Sequence, residues 1–194
     1  GMRMSYPIDP HLTDSALAVL GADNFQDNNS SLSFGGQLNY HPTSDFSLIL
    51  NYLTGPEQAW GSASNRQLLD LVVNYQVDPS TALGLHALTG VESSWGPQNS
   101  TAHWNGLVGY MRWKANDHLY LGVRQEFFND FDGIRTRTSQ NVRSLTFTPE
   151  WQFTPDWIVR CDVRWDHSSA PAFLSGSEAV QHQSTIFFNH ILKF

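Results

Sequence analysis

Trp157-Ile158-Val159-Arg160-Cys161-Asp162-Val163-Arg164-Trp165-Asp166 is the stretch that decides the fold. Successive side chains of a β-strand point to opposite faces. With that period, Trp157, Val159, Cys161, Val163 and Trp165 share one face, and Arg160, Asp162, Arg164 and Asp166 share the other, with Ile158 the exception. A helical period of 3.6 would scatter both sets around the axis. The segment therefore predicts a strand with one apolar and one charged face.

The same alternation spreads outward along the chain. Leu145, Phe147, Pro149, Trp151 and Phe153 oppose Ser144, Thr146, Thr148, Glu150 and Gln152. Leu119, Leu121, Val123 and Phe127 oppose Tyr120, Gly122, Arg124 and Glu126. Leu69, Leu71, Val73, Tyr75 and Val77 oppose Asp70, Asn74 and Gln76, with Leu68 and Val72 diluting the polar side. Leu32, Phe34, Leu38 and Tyr40 oppose Ser31, Ser33, Gln37 and Asn39.

Punctuation between the strands is asymmetric. Short turn signals stand at Asp9-Pro10-His11, His41–Asp45, Asp78-Pro79-Ser80, Ala115-Asn116-Asp117 and Thr154-Pro155-Asp156. They recur about every 35 to 40 residues, and each period holds two strand-like segments, so the repeat is a β-hairpin. Pro presets φ and Asp bonds its own backbone in such turns. Between them lie longer linkers at 23–31, 56–65, 93–101, 129–141 and 168–183, rich in Gly, Ser, Asn and Pro. Long loops at one end and tight turns at the other suit an outer-membrane barrel, with periplasmic turns and external loops. A soluble barrel with a loop-built binding mouth is the other reading of this asymmetry.

Composition narrows the choice. Of 194 residues, 40 % are hydrophobic and 13 % aromatic, but only 15 % are charged, against about 25 % in soluble domains. That mixture fits strands alternating apolar-out and polar-in, which leave no long apolar run. No stretch approaches the roughly 20 apolar residues of a membrane helix. A net charge of -7 argues against nucleic acid as a partner, because phosphates need a basic stripe. Cys161 is the only cysteine, which rules out an internal disulfide and a Cys-type metal site. Gly1-Met2-Arg3-Met4 opens without an apolar signal-peptide core; Gly1-Met2 reads as a cloning scar, with any export signal expected upstream.

The apolar face must meet either a dry core or lipid. Tyr40, Tyr75, Trp151, Phe153, Trp157 and Trp165 collect near strand ends, as interfacial girdles require. Arg and Asp or Glu alternate on one polar face, where they can pair across a water-filled lumen. Both observations favour lipid outside. The last segment, Thr185–Phe194, is amphipathic and ends on Phe194, the kind of terminal aromatic that outer-membrane assembly machinery recognises.

Eleven segments result: Met2–Ile8, Leu12–Ala22, Leu32–Tyr40, Phe46–Thr54, Leu68–Val77, Ala82–Val91, Trp104–Trp113, Leu119–Phe128, Arg143–Phe153, Trp157–Asp166 and Thr185–Phe194. Most match the 9 to 11 residues, roughly, of a membrane-spanning strand. The expected fold is all-β: an antiparallel up-and-down transmembrane barrel of about 10 to 12 strands, one domain over 1–194. Bacterial single-chain barrels use even numbers. An odd count implies half of a missing hairpin, a first strand outside a ten-strand closure, or a twelfth strand hidden in a loop. The chain thus reads as the C-terminal part of a longer barrel.

Gly21–Asn29, Phe34–Thr43 (FGGQLNYHPT) and Leu50–Gln58 (LNYLTGPEQ), with Gln125–Asp130, Asp132-Gly133 and the Phe194 ending, resemble the OmpL-like β-barrel porin family (β-barrel porin-2). Ala22 stands where that pattern leads one to expect an aromatic after Gly21. The resemblance implies a porin-like barrel in the outer membrane of a Gram-negative-type envelope. It also implies that family members are generally longer.

Three chemistries remain to be weighed. The Asp23–Asn29 run offers oxygen ligands for Ca²⁺, but Phe25 breaks the EF-hand spacing and no closing Glu follows, so a solvated loop is the better account. Eight histidines form no HxxxH or HExxH pair; His86 falls on a polar face, and His11, His41 and His118 sit at turns. No catalytic, metal or cofactor site is therefore expected. The best candidates for function are Arg124, Glu126, Glu150, Arg160, Asp162, Arg164 and Asp166, on the polar faces of consecutive strands. Opposed rows of charge bias ion passage; alternatively they satisfy one another in a plugged barrel. The acidic excess of the chain leans toward cations. The leading function is a porin-like channel passing small hydrophilic solutes or ions across a lipid bilayer, needing detergent in solution. Alternatives are a soluble or surface β-barrel with a ligand-binding or structural role, and an outer-membrane lipase-type enzyme with a Ser–His pair.

Overall fold

The computed structural model describes residues 1–22, 29–58, 64–95 and 100–194. The Asp23–Asn29 run falls almost wholly outside the described residues. Among the described residues, eleven strands form one sheet in chain order, each antiparallel to the next. They are β1 (Met2–Asp9), β2 (Leu12–Val19), β3 (Ser33–Thr43), β4 (Phe46–Gly55), β5 (Arg66–Asp78), β6 (Thr81–Trp95), β7 (Ser100–Lys114), β8 (Leu119–Asp130), β9 (Gln140–Thr154), β10 (Trp157–Ser168) and β13 (His182–Leu192). A separate hairpin, β11 (Phe173–Ser175) with β12 (Glu178–Val180), lies in the loop before β13. All eleven expected strands are present, and the up-and-down order is the one expected.

Four of the five short turns share one device. Asp9 Oδ1 accepts the amides of His11 (2.6 Å) and Leu12 (2.9 Å). Asn116 Oδ1 does the same for His118 (2.9 Å) and Leu119 (3.0 Å). Thr154 Oγ1 serves Asp156 (3.3 Å) and Trp157 (3.0 Å). Asp78 Oδ1 takes the Ser80 amide and hydroxyl and the Thr81 amide. These bonds hold the Asp78 carboxyl below its ordinary range, with the Ser80 hydroxyl the largest cause. Short polar side chains thus replace water at the reversal, which is why Asp, Asn and Thr stand there.

Among the described residues the apolar face packs on no second layer. Buried hydrophobic residues are Ala102, Trp104 and Ile158, all on the polar side of the sheet. Trp157 keeps 39 % and Trp165 47 % of its surface, and Leu83, Leu85, Leu107, Val123, Leu145 and Phe147 are likewise exposed. In water so broad an apolar patch would be a liability; in a bilayer it is the required exterior. Tyr40, Phe46, Tyr75, Trp113, Trp151, Phe153 and Trp157 form a rim at the short-turn end, with Phe153 stacked on Trp157 at 4.9 Å. Phe34, Tyr52, Phe127 and Trp165 form its counterpart toward the loops. Trp157 and Trp165 are separated by about 26 Å along β10, the height of an apolar band.

The strands differ from their expected spans mostly at the loop ends. β5 to β10 each run further toward the loops than their apolar pattern. Segments such as Gln140–Val142, against β8, and Ser100–His103, against β6, pair there without apolar alternation. β2 ends at Val19 rather than Ala22. β13 ends at Leu192, leaving Phe194 fully exposed beyond it. β13 pairs antiparallel with β10, from Trp157 opposite Leu192 to His167 opposite His182.

Candidate pore lining

Neighbouring strands in a sheet lie about 4.8 Å apart, so bonds that skip a strand need side chains converging on a concave face. The polar face makes several. Arg112 on β7 reaches Glu150 on β9 (Nη2 to Oε1, 2.6 Å), and Arg164 on β10 reaches Glu126 on β8 (Nη1 to Oε1, 2.5 Å). Arg3 on β1 reaches Gln37 on β3 (2.7 Å). The charged face is therefore the inside of a curved wall, and the apolar face its outside.

All seven residues singled out from the sequence lie on this inner face. Glu150 accepts from Arg112 through one oxygen and from Arg160 through the other (2.5 Å). Glu126 accepts from Arg164 and from Arg124 (2.6 Å). Asp166 takes Arg164 Nε (2.8 Å), Ser144 Oγ (2.5 Å) and Gln183 Nε2 (3.1 Å). Asp162 has no cation; Thr148 Oγ1 (2.6 Å) and Asn189 Nδ2 (3.5 Å) donate to it. Four guanidiniums and three carboxylates thus pair in two clusters across β7 to β10, with Asp162 beside them.

Burial separates the two signs. The Glu150 and Asp166 side chains keep 6 % and 3 % of their surface, whereas Arg112, Arg124 and Arg160 keep 52 %, 42 % and 40 %. Glu150 and Asp166 lie against the wall and longer guanidinium stems stand over them, so at these pairs the water in the lumen meets cations; Asp162, half-buried, has no guanidinium above it. Gly122 makes one of these contacts: it stands between Arg112 and Thr148 in register, and its missing side chain leaves Arg112 a clear path across β8.

On the opposite half of the wall the lining is amide, carboxylate and imidazole. Gln37 Nε2 donates to Asn51 Oδ1 (2.7 Å), Asn51 Nδ2 to Asp70 Oδ1 (2.6 Å), and His86 Nε2 to Asp70 Oδ2. His86 thus lies on the polar face, as its place in the alternation led one to expect. His11 and His118, at the turns, pair instead with the carbonyls of His41 and Gln152, each at 3.1 Å.

The loop end of the lumen is packed. Glu92, with no exposed surface, accepts from Arg66 Nε (2.5 Å) and Ser64 Oγ (2.9 Å). Trp104 lies flat over Gly90, where a Cβ would fall 2.0 Å from the indole. Arg66 and Arg135 stand 5.8 and 5.5 Å from the Trp104 ring centre. Asp130 Oδ2 takes the Arg135 amide (2.9 Å) and the Thr136 amide (2.7 Å) and hydroxyl (2.8 Å), which folds the β8–β9 loop toward the mouth. At the turn end, outside the apolar band, Lys114 and Asp117 pair at 2.8 Å; the bond raises the lysine pKa and lowers that of the carboxyl.

Sequence reading missed Arg66, Glu92, Trp104, Arg112 and Asp130. β7 lacks clean alternation, since Gly106 and Gly109 stand on opposite faces and Val108 faces inward. A glycine opposite an arginine in a predicted hairpin was the signal available for Arg112. Among the described residues, no cluster of three or more His, Cys, Asp or Glu could hold a metal ion.

No curated protein matches the chain. A solved structure of the NanC porin, in a rhombohedral crystal form, is similar in fold: TM-score 0.56 at 12 % identity, covering 99 % of this chain and 98 % of that one. A family model described as "Putative beta-barrel porin-2, OmpL-like" matches residues 1–194. The chain belongs to this family, and is a porin-like β-barrel for passive diffusion of small hydrophilic solutes.

Proposed function

We propose that the protein is a diffusion channel without chemistry in the outer membrane of a Gram-negative-type envelope, and that its lumen favours small anions. The observation that carries this is the separation of signs on the inner face: guanidiniums of Arg112, Arg124 and Arg160 stand in the lumen while their carboxylates are withdrawn. A fixed cationic surface close to the permeation path raises the local anion concentration. The lean toward cations read from net charge is thereby reversed, because most acidic residues of the chain lie off this wall or behind it. Water in the lumen lets these charges persist without the desolvation cost of an apolar core. The lining residues are Arg124, Glu126, Glu150, Arg160, Asp162, Arg164 and Asp166, joined by Arg112.

The single domain 1–194 belongs, on this reading, to a barrel with at least one more strand, of which it forms the C-terminal part. β1 and β13, at the two ends of the order, run in the same direction, and every residue of β1 is exposed. Partners are lipid, the permeating solutes and, through Phe194, the outer-membrane assembly machinery.

The test is a planar-bilayer recording across a potassium chloride gradient. The wild-type reversal potential should lie on the anion side, and Arg160→Gln with Arg164→Gln should move it toward cations. A wild-type channel selective for cations, or no shift in the double variant, would overturn the assignment of this face as the conducting one.

A further inference from the structure

We infer that the lumen holds a discrete site for a small organic oxyanion with a flat body, a carboxylate or phosphate on a planar group, near the turn end of β7 to β10. The inference rests on the channel reading above and deepens it, from general diffusion to a saturable step within the pore. A cavity of about 520 Å³ opens on the inner face, lined by Tyr110, Arg112, Tyr120, Arg124, Glu150 and Arg160 among others. That volume is within the range, roughly 300 to 1,000 Å³, of small-molecule sites.

Charge in this lining does not balance. Three guanidiniums face one carboxylate, and Glu150 has each oxygen taken, one by Arg112 and one by Arg160. Arg124 looks elsewhere for its carboxylate, to Glu126, using Nη2. Donors are left over. Arg160 binds Glu150 through Nε alone, so its two Nη groups form a free fork. Arg124 Nε is shut off from solvent and has no partner. That nitrogen is closed to a ligand as it is to water, so the groups offered to an oxyanion in the open cavity are the two Nη groups of Arg160.

The walls select the body of the ligand. Arg112 covers the Tyr120 ring at 3.7 Å from its centre, and Arg124 stands 5.6 Å from that of Tyr110. The two tyrosines are thereby fixed in orientation by cations above them. Gly84 and Gly122 carry no side chains between them and contribute flat wall to the same cavity. Two held phenol rings, a smooth wall and a free guanidinium fork suit a planar anion: the rings take its body and Arg160 takes its oxygens bidentately.

The experiment uses benzoate as probe, with inorganic phosphate for the oxyanion alone and benzamide for the flat body alone. Chloride current through the reconstituted protein should be blocked saturably by benzoate, more strongly from the turn side, and hardly by benzamide. Isothermal titration of the protein in detergent micelles should give binding of benzoate independently of conductance. Arg160→Gln should weaken both about tenfold, a loss of about 1.4 kcal/mol. Arg160→Lys, which keeps the charge and the Glu150 contact but not the fork, should weaken them nearly as much, excluding a mere folding defect. Tyr120→Leu should weaken benzoate a few-fold and leave phosphate unchanged, since offset ring contacts contribute about 0.5 to 1.5 kcal/mol. Unsaturable benzoate passage through an anion-selective channel, or binding indifferent to Arg160→Gln, would overturn the site while leaving the channel. Binding in micelles without any conductance would keep the site and sink the channel.

Discussion

Replacing Glu150 by Gln tests the inner lattice at the point where the arrangement is most specific. Its carboxylate is nearly buried and links Arg112 to Arg160 through one oxygen each, at 2.6 and 2.5 Å. Gln keeps one acceptor oxygen, so one of the two contacts is lost and the other becomes a bond from a guanidinium to a neutral amide oxygen. A hydrogen bond to a charged group contributes about 1.5 to 3 kcal/mol when shielded. Both guanidiniums are about half exposed, so water compensates much of the loss, and the net destabilisation should be about 1 to 2 kcal/mol. Removal of the shared anion also leaves two cations beside the cavity without their counter-charge. Urea unfolding in detergent micelles, followed by tryptophan fluorescence, reads the first effect; reversal potential in a salt gradient reads the second, which should move further toward anions. Adding Arg112→Gln should return much of the potential, with a coupling of about 1 kcal/mol in the stability cycle. A shift toward cations in Glu150→Gln, or additive effects of the two substitutions, would refute the account of Glu150 as the shared counter-ion of the lumen cations.

Phe147→Arg, at mid-strand on the outer face of β9, should cost about 2 to 4 kcal/mol in lipid vesicles, as charges at a bilayer midplane do, and an unchanged unfolding midpoint would place that face in water. Phe194→Asp should lower the amount of barrel assembled in cells without altering urea stability of refolded protein, because Phe194 lies beyond the last pair of β13; normal assembly would make the terminal aromatic incidental. The Asp78 carboxyl is lowered in the folded protein, so its contribution is complete above the unfolded value near 3.8 and is lost as pH falls through the lower folded one. Asp78→Ala should therefore flatten the acid limb of a stability–pH profile measured in micelles, and leave its neutral part parallel to wild type.

What the sequence disclosed follows from the range of the physics involved. Alternation in Trp157–Asp166 or Leu145–Phe153 is local, because a pleated strand fixes which side chains share a face whatever its neighbours are. The turn at Asp78-Pro79-Ser80 is equally local, closed by bonds within four residues. Pairing partners are not local. Arg112 reaches Glu150 diagonally across β8, past Gly122, which stands opposite Arg112 and Thr148, and over Tyr120, which stands opposite Glu150; that register depends on three strands together. Trp104 carries no mark in the sequence to distinguish it from the rim tryptophans, yet it lies inside, under two guanidiniums and over Gly90. The sign of the lumen surface was equally hidden: counting charges treats Glu150 and Arg160 alike, while the length of the arginine stem carries its charge out past the carboxylate that holds it.

The edges of the sheet complete the argument. Met2, Met4 and Tyr6 on β1 and Ile186, Phe188 and Leu192 on β13 continue the apolar exterior to both ends of the strand order. On the inner face Arg3 and Ser5 bond to Gln37 and Ser15, and Asn189 bonds to Asp162, so the polar lining also reaches both edges. In hydrocarbon each unsatisfied backbone group costs several kcal/mol. An open β1 edge facing lipid would thus cost more, over its eight residues, than the roughly 5 to 15 kcal/mol that stabilises a typical domain. Direct pairing of β1 with β13 needs a parallel ladder, because the two run the same way. On the proposed reading of a longer barrel, one further strand would satisfy both edges in antiparallel fashion and restore the even number usual in bacterial single-chain barrels. Its side chains must alternate as those of its neighbours do, apolar beside Met4 and Phe188 and polar beside Arg3 and Asn189, for the lipid band and the lumen lining to pass unbroken through the seam.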